Sequence, residues 1–469
     1  MKVLLVNQPM GFSYGSIGIM RPPLGLAYLA SVLRDHHQVK IIDFSVEKQN
    51  WNNYPYSEFD IVGISADTSR YLISLRIAKV AKNQGAIVVM GGPHVSFLDK
   101  DALESGVVDY VVRNEGEYSF LSLVKFLSKE IPFEEVRGVS YLTNGELSRT
   151  PDAPFIYDLD SLPFPARELL PLKLYGEKMN GRPTTTLITS RGCPFNCYFC
   201  SSSQFFGVRW RARSAENVFE EMGLLHKKYN YRALSFVDDN FTLDPDRIIK
   251  LSQKIIKQRW DLIWGAWSRV DTIAHNPDMV RMMAKAGFKW TFLGFESGSQ
   301  EVLNEYGKRA LVQDALKAME ILKENHVGVT GSFILGALNE TKDMMKETIN
   351  FAKRLNPHTA QFSVLTPYPG TKLYEMVKDR LLTKNWGIYT GSHPVIKLDH
   401  VSPEALRMLF IMAYSSFYLR PGKLVENMPY VCKIVPNILK LLASKMFLCK
   451  SFQKTTHRTP HTSHMAVSV

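Results

Sequence analysis

TTLITSRGCPFNCYFC, residues 185–200, joins two signals that seldom lie side by side. The first six residues are apolar and β-branched, the pattern of a short buried strand. The next ten place Cys193, Cys197 and Cys200 in C-x3-C-x2-C spacing directly after it. The chain has five cysteines; the other two, Cys432 and Cys449, are remote and read as buried or incidental thiols. A structural zinc site takes four ligands, usually as two separated pairs. Here there is no second pair, and no nearby His completes a tetrahedron. An iron–sulfur cube takes thiolates, normally four. Three leave one iron open to a substrate or cofactor. A structural zinc or a coincidental cluster is the competing reading. Few cysteines and one tight cluster point to a reducing cytoplasm and to metal binding, not to disulfides.

Outward from this stretch the chain reads as alternating strand and helix. Downstream lie ALSFVDD (233–239), IWGAWSRV (263–270), KWTFLGFES (289–297), GVTGSFILG (328–336) and TAQFSVLTPY (359–368), each followed by a helical pattern. With the first strand this makes six βα units, two short of a closed eight-fold barrel, so an open, partial barrel is expected. Such barrels carry their chemistry at the carboxyl ends of the strands, where the cysteines fall. Upstream, VLLVN (3–7), VKIIDF (39–44), IVGISA (61–66), AIVVMGG (86–92) and YVVRNE (110–115) alternate with helical patterns. That is the reading of a five-strand, doubly wound parallel sheet. GVSYLTNGELSRTP predicts a hairpin turning at Asn144-Gly145. DLDSLPFPARELLP reads as a linker over a domain surface.

The expected fold class is α/β. A Rossmann-like sheet at 1–135 precedes a hairpin and linker at 136–180, a partial (β/α)6 barrel at 181–400, a helical region at 401–450 and a disordered tail at 451–469. The 469 residues suit two or three domains. With 45% hydrophobic and 22% charged residues the chain reads as a soluble globular protein. No window of about 18 apolar residues marks a membrane span, and MKVLLVNQPM reads as a strand, not a signal peptide. Net charge is +12. From Arg420 to Val469, eight Lys and Arg stand against Glu426 alone, leaving +7 in that tail. No nucleic-acid motif accompanies it, which argues against a nucleic-acid partner. KIVPNILKLLASKMFL, with Lys433, Lys440 and Lys445, reads either as a packing helix or as a peripheral contact with an anionic membrane.

The cysteine spacing, with Phe199 between two ligands, resembles the radical S-adenosylmethionine superfamily. FVDDNFTLD (236–244), GFESGSQEVL (294–303) and TPYPGTKLYE (366–375) are similar to its cobalamin-binding class, as are PPLGLAYLASVL (22–33), GGPHVS (91–96) and RNEGE (113–117). That group contains the anaerobic magnesium-protoporphyrin ester cyclase and the hopanoid methylases. The resemblance covers roughly residues 1–420. It implies a [4Fe–4S] cluster on Cys193, Cys197 and Cys200, with S-adenosylmethionine chelating the fourth iron and yielding a 5′-deoxyadenosyl radical. It implies cofactor contacts from Phe199, Asp238, Asp239, Arg269 and Glu296, the last four at strand ends. On the N-terminal sheet it implies cobalamin near Ser65, Gly91, Gly92 and His94. The D-x-H-x-x-G motif is absent, so cobalamin is expected with its own base displaced and no His on cobalt; His94 is expected as a turn residue. GALNET (336–341) departs from the Gly-Pro-Gly-Glu-like turn of the relatives.

The function that the resemblance implies is a methylase acting on an unactivated carbon, with cobalamin carrying the methyl group. The alternatives are radical cyclisation or carbon–carbon coupling without methyl transfer, and a non-enzymatic cobalamin sensor. The resemblance also implies a small-molecule, lipid or tetrapyrrole substrate and an electron donor such as flavodoxin or ferredoxin.

Overall fold

The computed structural model describes residues 1–10 and 20–426. Five parallel strands, β1 (Lys2–Asn7), β2 (Gln38–Asp43), β3 (Ile61–Ser65), β4 (Ile87–Gly91) and β5 (Tyr110–Val112), lie in the order β2-β1-β3-β4-β5. β1 is buried from Val3 to Asn7, as a strand covered on both faces must be. The helix Leu24–Leu33 packs Leu26, Ala27, Ala30 and Leu33 against Val3 and Leu5, and Leu123 and Val124 of the helix Glu117–Leu127 join them. The helix Tyr71–Asn83 covers the other face, with Ile77, Ala78 and Ala81 against Leu4 and Val6. Strand order reverses between β1 and β3, and a crevice at the carboxyl ends results from that reversal.

The expected hairpin forms β6 (Val139–Thr143) and β7 (Glu146–Arg149), with Asn144 at φ 53° and Gly145 at φ 83°. Two positive φ values in a two-residue loop match the twist of the flanking strands. The hairpin adds to the edge of β5, so the sheet has seven strands and not five. The segment beyond it differs from a surface linker. Leu159, Leu162, Ala166 and Leu170 are buried, and Arg167 pairs with buried Glu221 at 2.8 Å. Its prolines leave room only for the short 3-10 turns Leu159–Ser161 and Arg167–Leu169, but its apolar residues still need cover.

The second sheet runs β8 (Lys178–Met179), β9 (Arg182–Leu187), β12 (Ala233–Phe236), β13 (Ile263–Arg269), β14 (Phe288–Glu296), β15 (Gly328–Leu335) and β16 (Thr359–Val364) in consecutive order. Six strands are parallel; β8 is antiparallel to β9. The result is the expected open partial barrel. Its helices obey local rules. In Pro245–Gln258, Asp244 caps the Arg247 amide, Pro245 opens the first turn, and Ile248, Leu251 and Ile255 form the buried stripe. The free edge at β16 is covered by the helix Pro403–Tyr418, whose Tyr414 and Tyr418 hydroxyls bond backbone groups of Phe362 and Ala360. A two-residue ribbon, β10 (Ser190–Arg191) with β11 (Arg211–Ala212), stands apart from both sheets. Among the described residues no helix is long and apolar enough to cross a membrane. The KIVPNILKLLASKMFL segment, most of the basic tail, Cys432 and Cys449 lie outside the described residues.

Candidate active site between the two sheets

The cysteine loop leaves β10 and enters the short helix Ser201–Phe205. Backbone bonds tie it to the barrel: the Tyr198 amide donates to Tyr306 O (3.2 Å) and the Leu373 amide to Tyr198 O (2.9 Å). The Gly192 amide donates to Asp239 Oδ2 at 3.2 Å. Gly192 has φ +79°, and a Cβ there would lie 2.2 Å from the Arg209 carbonyl oxygen. Only glycine fits. Burial pushes the Cys193 thiol up to about 11, opposed by the Phe195 amide and the Arg269 charge. Burial also raises Cys200. Cys193 feels both other cysteines electrostatically, so the three share one neighbourhood. Among the described residues no three His, Cys, Asp or Glu side chains converge as a single metal ion requires. A cube takes one thiolate per iron and asks for less convergence. Three thiols are the donor set that three irons of such a cube would take.

Asp238 and Asp239 come directly after β12. Asp238 Oδ1 accepts from the Thr189 amide (2.8 Å), Thr189 Oγ1 (2.9 Å) and Ser190 Oγ (2.6 Å). Its Oδ2 is buried without a partner, an unmet acceptor that a ligand ammonium or hydroxyl would satisfy. Burial raises both carboxyls above their usual range. Arg269 ends β13 and pairs with Asp271 at 2.9 Å. It also donates to Lys308 O at 2.6 Å, and its guanidinium lies 3.5 Å from the Phe195 ring centre, inside the cysteine loop. Glu296 ends β14 at φ +62°, where the register with β15 shifts, and meets Lys308 Nζ at 2.6 Å. A strained backbone at a strand end marks a held side chain. Phe199 packs its ring edge-on to Tyr306, 5.0 Å between centroids.

A cavity of about 280 Å³ opens between the two sheets. Ser65, Gly91 and Gly92 form part of one wall; Ser190, Arg191, Asp238 and Asp239 form part of the other. It continues among Leu5, Leu26, Val89 and Phe120, between the N-terminal sheet and its covering helices. Five of the expected cofactor residues thus meet in one space: Ser65, Gly91, Gly92, Asp238 and Asp239. Phe199, Arg269 and Glu296 do not line it. Gly92 has φ +103°, and a Cβ there would stand 2.8 Å from Ala66 O, so it serves the close approach of β3 and β4 as much as any ligand.

His94 departs from the expectation of a turn residue. Its segment, Pro93–Phe97, is a short helix, and its side chain is fully buried away from the cavity. The ring lies 4.1 Å from that of Tyr71 and 5.1 Å from that of Trp386, with Nδ1 3.2 Å from Thr68 Oγ1. Burial lowers its pKa to about 4, against a smaller opposite effect of Asp67. Apolar cover from the barrel side, Trp386, converts a loop histidine into a core one.

Four residues of the site, Arg191, Glu115, Glu117 and Lys308, are not among those expected from the sequence. Arg191 and the two glutamates lie within RGCPFNCYFC and RNEGE, but only the fold brings them together. Lys308 carries no signal beyond its charge. The GALNET turn keeps one feature that explains it: Glu340 Oε2 accepts from the Gly336 (2.6 Å) and Ala337 (3.0 Å) amides and closes the loop. Burial pushes that carboxyl up to about 7.

The fold thus pairs a crevice at the carboxyl ends of one parallel sheet with three thiols beside an open barrel. Residues 187–352 match the family described as the radical SAM superfamily, and residues 15–124 match the B12 binding domain. The chain is 42% identical over 437 residues to an uncharacterized methyltransferase of Pyrococcus horikoshii, covering 91% of this chain and 94% of that one. It is 28% identical to the anaerobic magnesium-protoporphyrin IX monomethyl ester cyclase of Rubrivivax gelatinosus, over 89% of this chain and 78% of that protein. Among solved structures, the radical S-adenosylmethionine methyltransferase TsrM of Kitasatospora setae superposes with a TM-score of 0.67 at 18% identity, over 81% of this chain and 74% of that one. The cobalamin-dependent S-adenosylmethionine radical enzyme OxsB gives 0.66 at 23% identity, over 80% of this chain; the match spans 55% of that longer protein. The chain belongs to the radical SAM superfamily of enzymes, in the branch that carries a B12 binding domain.

Proposed function

We propose that the protein is a cobalamin-dependent methyltransferase that places a methyl group on an unactivated carbon of a small molecule. The observation that carries this reading is a cavity lined from both halves, with Arg191 and Phe205, which flank the cysteine loop on either side, among its lining residues. A [4Fe–4S] cluster on the cysteine loop, with S-adenosylmethionine and cobalamin beside it, would supply reductive cleavage, hydrogen abstraction and a methyl donor. The chain's own residues hold and shield. Cys193, Cys197 and Cys200 offer the thiolates, and Arg269 lowers the cost of charging Cys193. Asp238, which lines the cavity and whose Oδ2 has no hydrogen-bond partner, would accept from an ammonium or ribose hydroxyl. The apolar continuation of the cavity, from Leu5 to Phe120, suits an elongated cofactor tail inserted beside the sheet, and among the described residues no histidine lines it. Tyr28, Phe205 and Phe206 border the same space and exclude water. The electrons come from a one-electron donor such as flavodoxin or ferredoxin.

The test is anaerobic reconstitution with iron, sulfide and cobalamin, then S-adenosylmethionine and a strong reductant. Quantified 5′-deoxyadenosine together with cobalamin-dependent S-adenosylhomocysteine supports methyl transfer. If 5′-deoxyadenosine forms alone, the methyltransferase reading gives way to cyclisation or coupling, the chemistry suggested by the cyclase relative. If neither forms, the radical reading itself falls.

A further inference from the structure

The two walls of the cavity come from different sheets, and one side chain touches both. Arg191 ends β10, two residues before Cys193. Its Nη1 donates to Glu115 Oε1 at 2.8 Å and its Nη2 to Glu117 Oε1 at 2.5 Å. Those carboxylates lie where β5 passes into the helix Glu117–Leu127. All three side chains are buried and border the cavity. Arg211 pairs with Arg191 across the β10–β11 ribbon and takes the other oxygen of Glu115 at 2.7 Å. Glu115 Oε2 also accepts from the Ile156 amide at 2.8 Å. Two guanidiniums answer two carboxylates, and no charge is left over.

We infer that Arg191 is a positioning residue: its fork to Glu115 and Glu117 sets the distance between the N-terminal cavity wall and the Cys193–Cys200 loop, and so couples occupancy of the one to the other. This rests on the proposed function, because it needs cobalamin in the cavity and a cluster on the loop. A buried ion pair adds little net stability over well-packed apolar side chains, since desolvation offsets attraction. What it supplies is geometry, because a planar guanidinium can donate to two carboxylates in few arrangements. The link to the thiols has little slack. Gly192 comes next in the chain after Arg191, its amide is held by Asp239, and a Cβ at its position would meet Arg209 O at 2.2 Å. A shift of Glu117, the first residue of a helix that lines the cavity, is therefore passed to Cys193 within two residues of chain. Groups from both halves must meet in one reactive geometry, where an ångström of misplacement matters.

The experiment is a cobalamin titration followed by absorbance, without oxygen, on full-length protein with and without its reconstituted cluster. Wild type is compared with Arg191→Lys and Glu117→Gln. In wild type the cluster should tighten the cobalamin Kd about tenfold, within the usual range of coupling between sites. In both variants that ratio should fall to about one while iron content stays full. The change that cobalamin makes in the electron paramagnetic resonance of the reduced cluster should vanish with it. A merely structural ion pair would lower stability and leave the ratio alone. Variants that keep the wild-type ratio, or a wild-type ratio of about one, overturn the inference. Wild type that binds no cobalamin, or assembles no cluster, overturns the proposed function instead. Glu117→Gln keeps shape and one hydrogen bond, so it carries the test if Arg191→Lys fails to fold.

Discussion

A methyl group at position 192 would sit 2.2 Å from a backbone oxygen, and the backbone there is already left-handed. Gly192→Ala should therefore cost about 3 kcal/mol or more, since strain and a backbone clash add. Denaturant unfolding of the apoprotein checks this. Cys200→Ala acts differently: it removes one of the three thiols proposed to hold the cluster without touching the backbone. It should abolish the cluster, its brown colour and all reductive cleavage of S-adenosylmethionine, with the fold intact by circular dichroism. A full iron count in that variant would contradict the ligand assignment. His94 yields a pH effect. Its folded pKa of about 4 lies below the unfolded value of about 6.5, so the unfolded chain binds the proton first. Stability from this residue is present above pH 6.5 and is lost as pH falls towards 4, by at most about 3 kcal/mol. Unfolding midpoints across that range should drop in wild type and drop less in His94→Phe.

The loop after β15 is a closed turn held by Glu340 from within and by Glu305, which accepts from the Leu338 amide at 2.9 Å. Glu340 serves two amides and is itself kept largely neutral by burial, with a pKa of about 7. The sign is opposite to that of His94. The folded pKa lies above the unfolded value, so the contribution is full below about pH 4.5 and is lost as pH rises through 7. Glu340→Gln, which keeps an accepting oxygen and cannot ionise, should flatten that part of the profile. Glu340→Ala should leave two buried amides unmet and cost roughly 2–4 kcal/mol. The same loop shows what the sequence could and could not say. Strands such as GVTGSFILG and the Asn144-Gly145 turn are local patterns, so period and turn chemistry reveal them. The departure of GALNET from the expected turn was also visible. That Glu340 reaches back to close it was not, because a side-chain bond across four residues leaves no mark on composition. Ser65, Gly91, Gly92, Asp238 and Asp239 could be named because strand ends are where such folds place ligands. His94 misled because its cover comes from Trp386, 292 positions along the chain.

At the scale of the molecule, the site exists only because two sheets face each other across a core that takes side chains from both, Leu4 and Val6 from one and Leu187 and Phe236 from the other. The cavity takes walls from residues 63–65 and 91–93 on one side and from 188–191 and 237–239 on the other. A ligand seated there touches both halves, so its binding energy should appear as stability of both. At a free cobalamin concentration of 100 times Kd, linkage gives about 2.7 kcal/mol. For a chain of this length, with unfolding entropy near 2 cal/mol/K per residue, that raises the melting temperature by about 3 °C. The location of the effect is more telling than its size. If the N-terminal sheet alone held the cofactor, amide exchange would slow only between β3 and the helix Glu117–Leu127. The shared cavity instead requires slower exchange in the loop 188–206 as well, including the ribbon that carries Arg191. Hydrogen exchange with mass spectrometry on the full chain, with and without aqua-cobalamin and before any cluster is loaded, separates the two. Protection confined to the first 130 residues would mean that the barrel does not help to bind cobalamin. Protection in both segments would make the Arg191 ribbon part of the site before any thiol is engaged.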